Sequence, residues 1–163
     1  MAWTTPRTWV TNELVTAALM NEQIKDNENY LKARMPITHE VKATGTVSTT
    51  STNYINLTNA SITFTPVVTG KAQCIFTTTV RNDVTGGPIA YFELIDNNTN
   101  GTIGIETSIK YLQANAPSIA ITICGETPII AGTPITIVAK WKTSLGTIQC
   151  GNRAIYTTEL WTE

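Results

Sequence analysis

Hydrophobic and polar positions repeat with two different periods along this chain. Between residues 17 and 34, apolar side chains recur at alternating spacings of three and four, at Ala17, Met20, Ile24 and Leu31, which is the period of one helix face. From His39 onward, apolar and polar residues alternate one by one, which is the period of a half-buried strand. The pattern therefore predicts one N-terminal helix followed by a β region.

The helix has clear boundary signals. Thr16 is the predicted N-cap, because its hydroxyl can accept a hydrogen bond from a free backbone N–H of the first turn. No Gly or Pro interrupts residues 17–34, and Pro36 ends the helix because proline disfavours helical backbone in the residue before it. At 1.5 Å per residue, the helix should be about 27 Å long.

The apolar stripe of this helix has the spacing of a short coiled coil. Its members are Ala17, Met20, Ile24, Asn27, Leu31 and Arg34. A polar residue such as Asn27 at a core position costs stability but can fix register and oligomeric state. The alternative is a helix that lies on its own domain, with Asn27 at the edge of the contact. We favour self-association, because the stripe is too narrow and short to hold a long helix tightly.

The residues before the helix are expected to form an extended arm that carries Trp3 and Trp9. Large aromatic side chains are costly to leave in water. The two tryptophans therefore either fold back on their own chain or dock onto another protein, and the sequence leaves both alternatives open.

Alternation along the remaining chain predicts about eight to ten short strands without a second helix. The predicted strands cover residues 41–47, 54–57, 61–65, 71–80, 89–95, 102–106, 118–124, 134–141, 146–149 and 154–161. Such a chain is mainly β and folds as an antiparallel, jelly-roll-like β-sandwich or as a barrel. We predict two regions, with the arm and helix in residues 1–35 and the β-sandwich in residues 36–163.

Composition limits the partners of the protein. The chain has 163 residues, of which 42% are hydrophobic and 14% charged, and its net charge is −1. Near-neutral charge gives no long-range attraction to nucleic acid or anionic membranes. No apolar stretch of about 18 residues is present and no signal peptide is visible, so we expect neither membrane insertion nor secretion.

Residues with catalytic or metal-binding chemistry are few. His39 is the sole histidine, which excludes a His-based catalytic triad or a multi-His metal site within one chain. It is expected to be a polar residue between helix and first strand, or else to meet its copies around an ion on a three-fold axis. The carboxylates Glu93, Asp96, Glu106 and Glu126 show no spacing that selects a catalytic pair. We therefore predict no catalytic residues, no cofactor and no metal site, and hence no enzyme.

The three cysteines, Cys74, Cys124 and Cys150, are an odd number without CxxC spacing. In a reducing cytoplasm they are expected to remain small buried thiols. A disulfide between two of them remains an open alternative.

The N-terminal segment resembles a short segment of many tailed-bacteriophage structural proteins. The matching positions are Trp9, Val15, Thr16, Ala17, Leu19 or Met20, Asn21, Ile24, Asp26, Asn27 and Leu31, over about the first 35 residues. The chain departs from that pattern at Lys25, where Arg is usual, and at Glu28, where Leu is common. The β region, with Phe64-Thr65-Pro66 and Thr69-Gly70-Lys71, is similar to the trimeric jelly-roll modules of phage fibres and of the C1q and tumour-necrosis-factor class.

These resemblances imply a non-enzymatic virion structural protein that is made in the host cytoplasm. They imply a homotrimer that contacts other virion proteins and acts as a tail-fibre or receptor-binding protein. Host-surface carbohydrate is one candidate ligand of such a protein. An Asn/Thr-rich loop tip, with Tyr91 or Tyr111 nearby, is one place where it could bind, and the sequence assigns no residue to that role. A capsid decoration protein is the main alternative, and a carbohydrate-active enzyme or a cytokine-like ligand are others.

Overall fold

The structure is a computed structural model that describes residues 4–5, 7–32, 35–82, 87–110 and 117–161. The chain divides into two compact units, Met1–Pro36 and Ile37–Glu163. In the first unit, the α-helical segments α1 (Ala17–Met20) and α2 (Asp26–Lys32) flank a π-helical segment, Asn21–Lys25. Predicted residues Trp3, Arg34 and Tyr111 lie outside the described ranges.

The start of the helix agrees with the sequence prediction, but its middle does not. The Leu19 N–H donates to the Thr16 hydroxyl at 3.2 Å, which confirms Thr16 as N-cap. In the π segment, the Asp26 N–H instead donates to the Asn21 carbonyl five residues back. The predicted N-terminal helix is present, but its middle departs from α geometry. Because a π turn holds an extra residue, the predicted stripe no longer follows one straight line along the helix.

A side-chain hydrogen bond coincides with the widened turn. The Asn27 amide donates to the Gln23 carbonyl at 3.3 Å, and this carbonyl is the acceptor that the Asn27 backbone N–H has in a regular α-helix. Asn side chains compete in this way with backbone hydrogen bonding. The departure from α geometry thus has a local polar cause rather than a Gly or Pro.

The described residues of the second unit form a β-sandwich of nine strands. They are β1 (Ile37–Ala43), β2 (Val47–Thr49), β3 (Ile55–Phe64), β4 (Gly70–Asn82), β5 (Ile89–Asp96), β6 (Gly101–Lys110), β7 (Ile119–Ile129), β8 (Ile135–Thr143) and β9 (Ile148–Trp161). The first sheet has the order β1-β9-β4-β7, with β2 also paired to β9, and the second has the order β3-β8-β5-β6. All pairs are antiparallel. This interleaved order is that of a jelly roll, so the predicted fold class is confirmed.

The core follows the alternation read from the sequence. Inward-facing residues of β4 and β8 are buried, including Phe76 and Trp141. Phe76 of the first sheet lies 6.4 Å from Phe92 of the second, and Phe92 lies 6.2 Å from Trp141, between ring centroids. Tilted aromatic pairs at this spacing stabilise the contact beyond the area they bury. The aromatic side chains therefore hold the two sheets together.

Four of the predicted short strands merge in pairs, and each pair forms one long strand. Residues 54–57 and 61–65 belong to β3, whose register shifts between Asn56 and Ser61 and in which Asn59 has φ 56°. Residues 146–149 and 154–161 belong largely to β9, whose register shifts opposite Thr78 and Val80. The turn-forming residues that suggested breaks are accommodated as irregularities within a continuous strand.

The strands run between two ends of the sandwich. We call the end where β1 begins at Ile37 the entry end, which also holds loops 65–69, 97–100 and 130–134. There the Gly132 N–H donates to the Pro66 carbonyl at 2.8 Å. The opposite end, which we call the far end, holds loops 44–46, 50–54 and 144–147. At about 3.3 Å per residue, the 13-residue strand β4 separates the two ends by roughly 40 Å.

Candidate functional site

The N-terminal arm lies antiparallel to the helix and is joined to it by polar contacts. The Thr4 N–H donates to the Asn27 side-chain oxygen at 2.9 Å, and the Asn27 amide nitrogen donates to the Thr4 carbonyl at 2.9 Å. One turn earlier on the helix, Gln23 accepts from the Arg7 N–H at 3.0 Å. Asn27 therefore satisfies both backbone groups of one arm residue.

A turn then leads the arm into the helix. Asn12 adopts a left-handed conformation with φ 64°, and the Glu13 N–H donates to the Val10 carbonyl at 3.0 Å. The Glu13 carboxylate accepts from the Val10 N–H at 3.1 Å and forms an ion pair with Arg7. The Arg7 guanidinium also lies 5.1 Å from the Trp9 ring centroid. These contacts give the arm a defined local structure.

The described helix has no apolar core of its own. Its one buried residue is Asn27, with 6% exposure, whereas Met20, Ile24 and Leu31 are between 42% and 56% exposed. Other exposed large apolar side chains in the segment are Trp9, Val10, Leu14, Val15 and Met35. A short helix is marginal in water without a packed apolar face, and a contiguous apolar surface marks an interaction site. We call residues 1–35, which carry these exposed side chains, the candidate assembly segment.

The predicted stripe residues that the structure describes lie on one helical segment, but their surroundings differ. Ala17, Met20, Ile24 and Leu31 are exposed, and Asn27 is bonded to the arm of its own chain. Pairing of these residues between copies therefore stays a prediction, as does docking by the arm.

A buried carboxylate joins three parts of the entry end. Glu159 of β9 is 1% exposed, and one of its oxygens lies 2.7 Å from His39 Nε2 of β1. Its other oxygen accepts from the Val67 N–H at 2.9 Å and the Val68 N–H at 3.4 Å. The sole histidine is thus held in the sandwich. The sequence signal that was missed is an acidic residue at an inward-facing position of β9.

A buried arginine has a similar role toward the far end. Arg153 of β9 is 4% exposed. Its guanidinium donates to the carbonyls of Thr58 at 2.6 Å and of Gly45 and Gly151 at 2.9 Å each. Among the described residues it forms no ion pair with a carboxylate. Its donors are satisfied, but its positive charge is not balanced by a partner.

Three of the four acidic residues considered for catalysis are engaged in other contacts. Asp96 accepts from the Asn98 N–H and the Thr99 hydroxyl, both at 2.9 Å, which forms the predicted turn. Glu126 pairs with Lys71 at 2.9 Å. Glu106 accepts from the Tyr54 hydroxyl, and burial, then this hydrogen bond, raise the pKa of Tyr54.

The described residues also bear on metal binding, membrane insertion and carbohydrate binding. Within them, no group of three or more His, Cys, Asp or Glu residues is placed to hold a metal ion. None of the described helices is long and apolar enough to span a membrane. Tyr91 is directed toward Lys142, 4.9 Å from its ring centroid, and lies within β5 rather than at the Asn97–Asn100 turn. The expected carbohydrate site at that turn is therefore not formed with Tyr91.

The cysteines are all free thiols. Cys74 and Cys150 are buried as predicted, whereas Cys124 is exposed on the outer face of β7. Burial raises the pKa of Cys74 to about 12 and that of Cys150 to about 11. Only Cys124 departs from the expectation of a buried thiol, because its neighbours in the alternation, Ile121 and Ile123, take the inward positions.

Small side chains create a depression on the outer face of the first sheet. Thr77 pairs with Ala154 and Thr79 with Ala120 across neighbouring strands. A depression of about 360 Å³ above them adjoins a second of about 210 Å³, since Thr79 and Asn152 line both. We call the combined feature the sheet groove. Its other lining residues include Lys42, Tyr156, Thr46, Arg81 and Ser118.

The sequence signalled only part of this groove. The alternation in β4 places Thr77 and Thr79 on the outward face, opposite buried Phe76 and Thr78. It does not show that β9 and β7 lie on either side, because strand order in a jelly roll depends on long-range pairing. The groove residues of β9 were therefore missed.

Comparison with known proteins gives no sequence match and several partial structural alignments. No family model matches the sequence, and no curated protein matches it. The structure of infectious bursal disease virus, Gx strain, aligns with a TM-score of 0.49 and 13% identity over 77% of this chain and 32% of that chain. The VP2 subviral particle of the same virus aligns with a TM-score of 0.47 and 13% identity, over 75% and 32%.

A smaller structure also aligns. The C-terminal domain of EclA, a sugar-binding protein, has a TM-score of 0.38 and 14% identity over 69% of this chain and 78% of that chain. This chain spans about a third of the length of the viral chains.

Proposed function

We propose that this chain is a non-enzymatic structural protein of a bacteriophage particle. Residues 1–35 attach it to the particle and join three copies, and residues 36–163 form a β-sandwich that binds the host surface. The role is that of a tail-fibre or receptor-binding protein. The exposed apolar side chains of the candidate assembly segment, which has no core of its own, carry this proposal.

The physical argument starts from the difference between the two units. The β-sandwich buries a complete apolar core that includes Phe76, Phe92 and Trp141. The helix leaves Met20, Ile24 and Leu31 exposed, although burying each such side chain contributes about 1.5–3 kcal/mol. Contact with other copies or with a virion protein provides that burial. The segment is thus suited to assembly and the sandwich to presentation.

Assembly serves binding through multivalency. The chain reaches the sandwich at the entry end, so attachment through the preceding segment leaves the far end roughly 40 Å away along the strands. Three copies joined at one segment present three equivalent surfaces. Linked sites bind at high effective concentration, so weak individual contacts produce strong overall attachment. The near-neutral net charge favours recognition by shape and local groups over long-range attraction.

An infection assay tests this function. Purified full chain, added in excess to host cells before the phage, should reduce infection by occupying the host surface. A variant with Ile24→Asp and Leu31→Asp should block less, because single copies lose multivalent binding. No reduction of infection together with saturable binding to empty capsids would contradict a receptor-binding role and indicate capsid decoration instead.

A further inference from the structure

We propose that the sheet groove binds an acidic glycan, a saccharide that carries carboxylate or phosphate groups. This inference rests on the proposed receptor-binding function and names the site and ligand class for it. The groove lies on the first sheet toward the far end of the sandwich. It is a different place from the Asn97–Asn100 turn at the entry end.

The position of the groove follows from the strands that line it. Thr46 lies in the β1–β2 loop, Arg81 next to the end of β4, and Ser118 just before the start of β7. These three positions are all at the far end. The smaller depression is therefore at the far end, and the larger one extends from it along the sheet to Tyr156, which pairs with Glu40 of β1.

The charge around the groove is positive. Among the described residues, no Asp or Glu side chain lines either depression. Arg81 donates through Nε to the neutral Gln149 side chain at 2.6 Å, and no described carboxylate pairs with its terminal nitrogens. Arg153 also lines the larger depression, but its guanidinium donates to the Thr58 carbonyl of β3 in the other sheet, so it lies between the sheets and Arg81 is the cation that the groove exposes. A carboxylate or phosphate is the ligand group that a guanidinium binds in bidentate geometry.

Lys42 contributes differently from the arginines. Its ammonium is paired with Glu40 at 2.8 Å and lies 5.4 Å from the Tyr156 ring centroid. This arrangement fixes a wall of the groove without adding net charge. The positive charge that the groove exposes therefore comes from Arg81 at the far end, and the acidic group of the ligand belongs there.

The rest of the lining suits a sugar ring. Within the described part of the chain, the side chains of Thr77, Thr79 and Asn152 make no hydrogen bond. Hydroxyl and amide groups both donate and accept, as sugar hydroxyls do. The Ala154 methyl and the Tyr156 ring supply the apolar surface against which a sugar C–H face packs. The larger depression, about 360 Å³, is within the roughly 300–1,000 Å³ typical of small-molecule sites.

Calorimetric titration of the full chain tests the proposal with three probes. They are oligogalacturonate, which carries carboxylates, oligomeric glycerol phosphate, which carries phosphates, and uncharged dextran oligomers. At least one acidic probe should bind with a Kd below about 1 mM, and its affinity should fall as salt is added. The dextran oligomers should bind at least tenfold more weakly. The two acidic probes show which anion the groove accepts.

Variants locate the binding site. Arg81→Gln should weaken binding of the acidic probe at least tenfold, and Thr79→Val, which replaces a hydroxyl by a methyl group, should weaken it several-fold. Lys110→Gln removes the same charge from an exposed position on the other sheet and should leave the affinity unchanged. Circular dichroism of each variant confirms that it is folded. A loss of affinity in Lys110→Gln equal to that in Arg81→Gln overturns the proposed site.

The remaining outcomes are also decisive. Absence of binding by both acidic probes at millimolar concentration overturns the proposal, as does equal binding of the dextran oligomers. The mass of the same samples in solution separates this failure from failure of the proposed function. A trimer without glycan binding removes the groove site alone. A monomer that binds the acidic probe leaves the groove site and contradicts the assembly role.

Discussion

Several contacts in this chain depend on single buried polar residues. Asn27 bonds both backbone groups of Thr4, Glu159 accepts from two backbone N–H groups and contacts His39, and Arg153 donates to three carbonyls. A buried polar group that loses its partner keeps its desolvation cost. Substitution of one member therefore removes more stability than the bond itself contributes.

Glu159 gives the clearest prediction of this kind. Glu159→Ala leaves the Val67 N–H and His39 without their acceptor and should lower the free energy of unfolding by about 2–4 kcal/mol. Glu40→Ala removes an exposed carboxylate from the neighbouring strand and should change it much less. Urea denaturation measures both. Equal, small effects would show that the buried carboxylate does not hold the entry end together.

Asn27 can be tested through the arm. Asn27→Ala removes the hydrogen bonds to Thr4, so the arm should separate more often from the helix and trypsin should cleave after Arg7 several-fold faster. Asn29→Ala, at an exposed position on the same helix, is the control. Timed proteolysis followed by mass spectrometry measures the rates. Unchanged cleavage in the Asn27 variant would show that its bonds do not retain the arm.

The cysteines predict a difference in thiol reactivity. Burial raises the pKa values of Cys74 and Cys150 to about 12 and about 11, so at pH 8 both are protonated and shielded. Cys124 is exposed. A thiol-specific chromogenic reagent should label one cysteine per native chain and all three after unfolding in urea. Rapid labelling of Cys74 in the native protein would contradict its burial.

The same pKa shifts predict an effect of alkaline pH. Because the folded-state pKa values lie above those of the unfolded chain, the stabilisation is complete below about pH 9 and is lost as pH rises through 11 to 12. Cys74→Ala should weaken the alkaline loss of stability measured by urea denaturation between pH 8 and 11. An unchanged pH profile would show that this thiol does not contribute.

At the scale of strands, a close backbone approach joins the two sheets along one side. Gly104 of β6 has φ +78°, and a Cβ atom there would lie 2.3 Å from the Cys124 carbonyl oxygen of β7. A Cβ on Gly125 would lie 2.3 Å from the Gly104 backbone nitrogen. Consecutive strands in different sheets thus meet where both have glycine. Backbone atoms cannot move aside as a flexible side chain does.

Gly104→Ala should therefore be severely destabilising. Steric overlap adds to left-handed backbone strain, and the free energy of unfolding should fall by at least about 3 kcal/mol. Gly45→Ala has a similar φ, +85°, but open space around its Cβ position, so it should lose only about 1–2 kcal/mol. Thermal unfolding compares the two. Similar losses would show that the overlap is relieved by movement of β6.

Much of the element structure was predictable because local periodicity carries it. The alternation of β4 and β8 identified their buried faces, and Thr16 identified the start of the helix. The π segment was not predictable, because the sequence does not show that the Asn27 side chain bonds the Gln23 carbonyl. The breaks proposed inside β3 and β9 were wrong because long-range pairing tolerates local turn residues. The sheet groove depends on the same long-range pairing, so no local sequence pattern predicts it.

At the scale of the whole molecule, the two units differ in what they bury. The β-sandwich has a continuous core between its sheets. The assembly segment has a polar residue inside and apolar residues outside. Exposed apolar side chains are unfavourable in an isolated segment, but they become buried when the segment packs against other copies. Multivalent binding therefore depends on self-association of the chain.

The mass of the full chain in solution shows whether the chain associates into a trimer. Light scattering during size-exclusion chromatography at tens of micromolar should give about three times the 17.7 kDa of one chain. The Ile24→Asp, Leu31→Asp variant should shift toward 17.7 kDa, whereas Glu22→Gln, at an exposed polar position, should remain trimeric. A stable mass of one chain for the unsubstituted protein, at concentrations up to hundreds of micromolar, would contradict the account.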